Sequence, residues 1–111
     1  MQPSLNSFFE DERTIAEIEK QRRICVALWA WAYEKHADPL VSDAKFDATS
    51  EEIDPKIHTG NKLLDDFFKN EFAACTGQWV LSHPETDKLE AIYKYLKRSG
   101  VLAIMQKKAY T

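Results

Sequence analysis

Residues 24–33 of the chain read ICVALWAWAY, and this stretch decides the fold class. It is apolar around the whole circumference of a helix, which is typical of a helix that is buried on several sides. The residues before it are charged and favour helix, and Ile15 and Ile18 mark only a narrow apolar seam there. We therefore predict one long helix over residues 9–36, with a solvated first part and a central second part.

A second, short helix is expected after a proline turn. Pro39 disfavours helical geometry at Asp38, so the long helix should stop at this point. Ser42 or Asp43 can then cap a new helix that starts at Ala44. Farther on, the spacing between residues 49 and 52 matches another capping box.

Two more helices follow from periodicity and from end signals. Five apolar residues recur at helical spacing and predict an amphipathic helix over residues 61–74; they are Leu63, Leu64, Phe67, Phe68 and Phe72. Ser82 and Glu85 have capping-box spacing for a last helix, and Gly100 is a natural stop for it. The apolar residues 78–81 fit either an extended segment or a helical turn.

These elements predict an all-α fold, a single small helical domain of about four helices over residues 1–111. Residues 1–7 are expected to form a flexible leader, and Ser7 with Glu10 to cap the first helix. Residues 101–111 form a tail that is apolar and then basic. The tail either docks on the core or joins a homo-oligomer interface.

Bulk composition restricts the partners and the compartment. The formal net charge is -3 and the pI about 5.6, which disfavours direct, sequence-specific binding of nucleic acid. No apolar run is long enough to span a membrane, and the first residues do not resemble a signal peptide. Neither Cys25 nor Cys75 belongs to a CxxC pair, and Cys25 is expected to be a buried thiol. We expect a cytoplasmic protein.

Catalytic and metal-binding signatures are missing from the sequence. The three histidines, His36, His58 and His83, are scattered without metal-ligand spacing. GxSxG, HExxH and glycine-rich phosphate motifs do not occur. We therefore expect no catalytic residues, no metal and no required cofactor.

One segment around the proline turn combines residue types that are typical of a binding site. Asp43, Phe46 and Asp47 share one face of the second helix, and Tyr33 lies at the end of the first. Two rings can sandwich a flat heteroaromatic group, especially a cationic one, and carboxylates can accept hydrogen bonds from its polar groups. Trp29, one turn before Tyr33, would support the wall. The same residues also agree with a purely structural interpretation, in which Asp43 caps the helix, Phe46 packs in the core and Asp47 is solvated.

Residues 38–47, DPLVSDAKFD, resemble the N-terminal Ia domain of bacterial NAD-dependent DNA ligases. That helical domain recognises the nicotinamide mononucleotide (NMN) half of NAD through a Tyr-His pair and a D-A-E-Y-D run. Carried over by position, the resemblance implies a ligand-binding set of five residues: Tyr33, Glu34, Asp43, Phe46 and Asp47. Phe46 stands where the family has its second Tyr, so it keeps a stacking face but lacks the hydroxyl. Glu34 stands where the family has His, which removes a ring and adds negative charge.

The resemblance does not extend to catalysis. The ligase family adenylates a lysine in a KxDG motif, and no KxDG occurs here. The chain is instead similar to small stand-alone ligase-Ia-related proteins of phages, which would place it in the host cytoplasm.

Three functions agree with these observations. The first is a non-catalytic binding protein for NMN, NAD or a related signal nucleotide. The second is a phage-type interaction protein that inhibits a host protein, for example a defence or CRISPR nuclease, through protein–protein contacts. The third is an accessory that completes a truncated NAD-dependent ligase in trans.

Overall fold

The computed structural model of the protein describes residues 5–100, and the side chains of residues 15–100. All regular structure in this range is helical, which confirms the all-α fold class. The α-helices are α1 (Leu5–His36), α2 (Asp43–Glu52), α3 (Lys62–Asn70) and α4 (Thr86–Ser99), and a 3-10 helix (Gln78–Ser82) precedes α4. Within residues 5–100, no helix combines the length and apolar character needed to cross a membrane.

Helix α1 is the central element of the fold. Its 32 residues extend for about 48 Å, and α2, α4 and the 3-10 helix all pack against it. Val26, Ala27, Ala30 and Ala32 are almost fully buried. The prediction that the apolar stretch forms the centre of the core is therefore confirmed.

The predicted start of α1 was wrong. The helix begins at Leu5, so residues 5–7 are not part of a flexible leader, and Ser7 lies inside the helix rather than at its cap. No glycine or proline interrupts the chain between Pro3 and Pro39, which allows the helix to continue upstream. The rest of the predicted leader, residues 1–4, and the tail, residues 101–111, lie outside the described residues.

Side-chain and backbone signals set the turn between α1 and α2. Ser42 Oγ accepts a hydrogen bond from the Lys45 backbone N–H at 3.1 Å, which confirms the predicted cap of α2. The second expected cap was wrong, because Thr49 is buried within α2. Helix α1 ends at His36, and the next residue, Ala37, has a φ of 50° in the left-handed region.

Replacing Ala37 with glycine is expected to stabilise the protein by about 0.5–1 kcal/mol, because glycine removes the Cβ cost of left-handed geometry. Thermal or urea unfolding measures the change. The matched control is Ala48→Gly, an exposed position inside α2, where glycine should cost about 0.5–1 kcal/mol. A lower stability of Ala37→Gly would contradict the prediction.

Helix α3 is shorter than predicted and is capped by a residue that the sequence analysis did not single out. It starts after Asn61, whose side-chain oxygen accepts from the Leu64 backbone N–H at 3.1 Å, and it ends at Asn70. Phe72 follows the helix and packs on Trp79 with ring centroids 5.0 Å apart. The chain therefore leaves the helical path before residue 74.

The start of α4 also differs from the predicted capping box. Ser82 is the last residue of the 3-10 helix, which settles the open question about residues 78–81 in favour of a helical turn. Nδ1 of His83 accepts a hydrogen bond from the Glu85 backbone N–H at 3.0 Å, and α4 begins one residue later. At the other end, Gly100 has φ 76°, which confirms it as the stop.

A buried ion-pair network joins α1 to the segment before α3. Glu19 is 0% exposed and Arg23 is 4% exposed. Arg23 donates to Glu19 Oε2 at 2.7 Å, to Asp65 Oδ1 at 2.8 Å, and to the carbonyls of Asp54 and Ile57 at 2.9 Å each. One guanidinium group thus holds four residues together, three of which lie more than 30 positions away in the sequence.

Aromatic rings fill the space on the other side of this network. Phe68, 1% exposed, lies at the centre of the group. Its ring centroid is 5.5 Å from those of both Phe72 and Trp79 and 5.4 Å from that of Phe67. The Arg23 guanidinium lies over the Phe68 ring, 5.3 Å from its centroid, so the aromatic cluster packs directly against the ion-pair network.

Candidate functional site

A cavity of about 210 Å³ opens where α1 ends and α2 begins. The last turns of α1 form one wall, and the first turns of α2 form the opposite wall. The turn at Pro39 joins these walls, and the segment around Gly77 closes the cavity from the side. Its lining residues are Trp29, Ala30, Tyr33, Pro39, Leu40, Val41, Asp43, Phe46, Asp47, Cys75 and Gly77.

Four of the five residues that the sequence suggested for a site lie around this cavity. Tyr33 comes from α1, while Asp43, Phe46 and Asp47 come from one face of α2. Glu34 is half-buried and is not among the lining residues. The structure therefore brings the two rings and the two acids together and leaves Glu34 outside.

The floor of the cavity depends on a glycine that sequence reasoning did not find. A Cβ on Gly77 would lie 3.2 Å from Ala30 Cβ and 3.6 Å from Phe46 Cζ. The missing side chain thus lets residues 75–77 approach both α1 and the Phe46 ring. Phe46 is half-buried and packs against the core while its ring still borders the cavity.

The charge around the cavity is negative. Asp43 and Asp47 are exposed, and neither makes a side-chain hydrogen bond or ion pair with any other residue in the described part of the chain. No lysine or arginine is among the described residues that line the cavity. Unpaired carboxylates beside aromatic faces favour a flat organic cation.

A polar cluster on the α4 side of α1 fixes the end of that helix. Glu90 Oε1 accepts a hydrogen bond from Trp31 Nε1 at 2.8 Å and lies 2.6 Å from His36 Nε2. Hydrogen bonding to His36, and then to Trp31, lowers the pKa of Glu90 from 4.5 to about 2. The His36 ring stacks on Tyr93 at 4.2 Å, so His36 faces α4 and not the cavity.

Tyr93 anchors the residue that follows α1. Its hydroxyl donates to Asp38 Oδ2 at 2.6 Å, and this bond is the main cause that lowers the pKa of Asp38. Burial, followed by the contact with Asp38, raises the pKa of Tyr93 to about 12. The direction of the chain entering the cavity turn is therefore set by α4.

Low pH should weaken the contacts that Glu90 makes with Trp31 and His36. Because the pKa of Glu90 is lower in the folded protein than its ordinary 4.5, its contribution is present above pH 4.5 and is lost as the pH falls toward about 2. We expect Glu90→Gln to flatten the fall of Tm with acid over this window relative to the unmodified chain. Glu71→Gln, at an exposed site, is the control and should leave the slope unchanged. Equal slopes for Glu90→Gln and the unmodified chain would contradict the prediction.

A second cavity of about 240 Å³ lies between α1, α3 and α4. Ala27, Phe68 and Leu89 are among its apolar lining residues. Its most buried polar lining residue, Arg23, already donates to four acceptors, and burial lowers the pKa of His83. This cavity offers less directional chemistry than the one at the proline turn.

The other candidate metal-binding and reactive side chains of the described residues do not come together at one site. No set of three or more His, Cys, Asp or Glu side chains in the described part of the chain is arranged to hold a metal ion. Cys25 is half-buried rather than fully buried, and burial raises the pKa of its thiol. Comparisons of the chain with family models, with curated proteins and with solved structures find no match.

Proposed function

We propose that the protein is a non-catalytic binding module for a nicotinamide nucleotide, NMN or NAD. The observation that supports this proposal is a single cavity bordered by Tyr33, Phe46, Asp43 and Asp47. Tyr33, Asp43 and Asp47 are the residue types on which the resemblance to the ligase Ia domain depends, and Phe46 keeps the ring of the family's second Tyr without its hydroxyl.

The size of the cavity suits part of such a ligand. Pockets that enclose drug-sized molecules have volumes of roughly 300–1,000 Å³, and this cavity has about 210 Å³. It therefore suits the nicotinamide ring with part of its ribose, and the phosphate of NMN or the adenylate of NAD would stay in solvent. This placement also keeps the phosphate away from two carboxylates.

Five of the lining residues have chemical roles in this proposal. Tyr33 and Phe46 offer ring faces to the nicotinamide, and Trp29 extends the aromatic wall. Asp43 and Asp47 are free to accept hydrogen bonds from the carboxamide N–H₂ or the ribose hydroxyls. Catalysis is not needed for any of these contacts.

Titration with NMN tests the proposal. We expect binding heat in calorimetry and quenching of the Trp29 fluorescence. The variant Trp29→Phe lacks this fluorophore, so loss of the quenching in the variant assigns it to Trp29 rather than to the other tryptophans. Asp43→Asn should weaken binding by about tenfold or more, because it removes a charge-assisted hydrogen bond. Glu51→Gln, also an exposed acid on α2 but outside the cavity, is the matched control. No binding at millimolar NMN, or equal binding by Asp43→Asn, would refute the proposal.

A second candidate function, binding to a host protein, is favoured by a different observation. Ile15 and Ile18, one turn apart on α1, are 55% and 41% exposed. Exposed apolar residues on one helix face are typical of a protein contact. The double variant Ile15→Ser/Ile18→Ser would lose a co-purifying host protein under this alternative, whereas Asp43→Asn would retain it.

A further inference from the structure

We infer that the cavity at the proline turn distinguishes the redox state of its ligand, binding the oxidised, cationic nicotinamide ring in preference to the reduced, neutral ring. This inference rests on the proposed function and adds to it the property that selects the ligand. It makes the occupancy of the protein depend on the oxidised fraction of the nucleotide pool.

The two forms of the ligand differ only at the ring. Reduction adds a hydride to the pyridinium ring, which removes its positive charge and its aromatic planarity, while ribose and phosphate stay the same. Contacts with the sugar or the phosphate therefore cannot separate the two forms. Only the groups that face the ring can do so.

The groups around this cavity favour the cation in two ways. Asp43 and Asp47 lie one helical turn apart and are free of ion pairs within the described residues, so their negative charge is not neutralised locally. The rings of Trp29, Tyr33 and Phe46 line the same cavity, and aromatic faces attract a cation through their quadrupoles. A neutral ring gains neither the Coulomb attraction nor the cation–π attraction.

Among the described residues, no positively charged side chain lines the cavity. Lys45 lies on α2 between the two aspartates in sequence, but it is exposed and is not a lining residue. His36 is turned toward Glu90 and Tyr93 on the opposite side of α1.

The expected preference is moderate, because both acids are exposed to solvent. Two charges at contact distance in high dielectric, together with ring faces, correspond to about a tenfold difference in Kd between the two forms. The electrostatic part should shrink as salt is added.

Calorimetric titrations with NMN and with its reduced form test the inference. We expect NMN to bind about tenfold more tightly, and the ratio to be smaller in the double variant Asp43→Asn/Asp47→Asn, which keeps the aromatic rings but loses both charges. Glu51→Gln should keep the ratio. Titration with 1-methylnicotinamide and with nicotinamide, which are both planar but differ in charge, separates charge from shape.

The outcomes distinguish the two levels of the proposal. Equal binding of both NMN forms overturns redox selection and leaves nucleotide binding intact. A preference that is undiminished in the double aspartate variant, or that is absent between the two planar probes, overturns selection by ring charge. If neither form binds, nucleotide binding and redox selection both fail.

Discussion

Replacing Arg23 with methionine is expected to lower the free energy of unfolding by about 3–5 kcal/mol, because it leaves a buried carboxylate without its partner. Glu19 is fully buried, and its Oε2 accepts from Arg23 at 2.7 Å and from the Asp54 backbone N–H at 3.1 Å. Its Oε1 has no hydrogen-bond partner among the described residues, so Arg23 is the closest positive charge that compensates this carboxylate. The carbonyls of Asp54 and Ile57 would also lose their donors. Urea unfolding followed by circular dichroism measures the loss.

The neighbouring arginine is a matched control for this experiment. Arg22 has the same side chain, but its ion-pair distances to Glu19 and Glu52 are 3.7 Å and 3.8 Å. Arg22→Met should change stability by less than about 0.5 kcal/mol. The double variant Glu19→Leu/Arg23→Met should recover part of the loss, because an apolar pair can replace a buried ion pair. Similar losses for Arg22→Met and Arg23→Met would show that the network is not what stabilises this region.

Truncation of Phe68 to alanine is expected to cost about 3–5 kcal/mol, the usual range for removing a buried ring. The ring contacts three other aromatic side chains and the Arg23 guanidinium, so its loss leaves a cavity that the surrounding helices cannot easily fill. In a domain of this size such a change lowers Tm by well over about 10 °C. Differential scanning calorimetry measures it.

Leu63 is the control for Phe68 on the same helix. It is 59% exposed, so Leu63→Ala should change stability by about 0.5 kcal/mol or less. A loss below about 1 kcal/mol for Phe68→Ala would mean that the aromatic cluster repacks around the missing ring.

The main features of the fold follow from local sequence. The all-round apolar stretch before Tyr33 can only be buried, and the periodic phenylalanines require a partner surface. Pro39 with Ser42, and Gly100 at the end of α4, act through their own backbone and neighbours, so their effects are visible in sequence. These are the features that the structure confirms.

The buried charges could not be predicted in this way. Arg22 and Arg23 are adjacent residues of one type, and both look solvated in a charged helical stretch. Arg23 differs because carbonyls 31 and 34 residues away meet its guanidinium. His83 likewise replaces the expected Ser82 cap because the 3-10 helix takes up Ser82. Such effects depend on contacts between distant residues, which periodicity does not encode.

The residues of the candidate site also differ in whether they could be predicted from the sequence. Tyr33, Asp43, Phe46 and Asp47 are close in sequence and related by one turn and one helix, so their convergence could be anticipated. Gly77 and Cys75 approach from about 30 residues farther along the chain. Nothing in their local sequence points to the cavity.

The acids of the cavity and the residues that hold the fold together are different residues. Asp43, Asp47 and Tyr33 are exposed. The buried network joins α1 to α3 and the segment before it, and the aromatic cluster lies on α3, the 3-10 helix and the segment between them. Substitutions at Asp43, Asp47 and Tyr33 could therefore accumulate by genetic drift without unfolding the chain. In any lineage where these three persist while other exposed positions vary, natural selection must be acting on what the cavity holds.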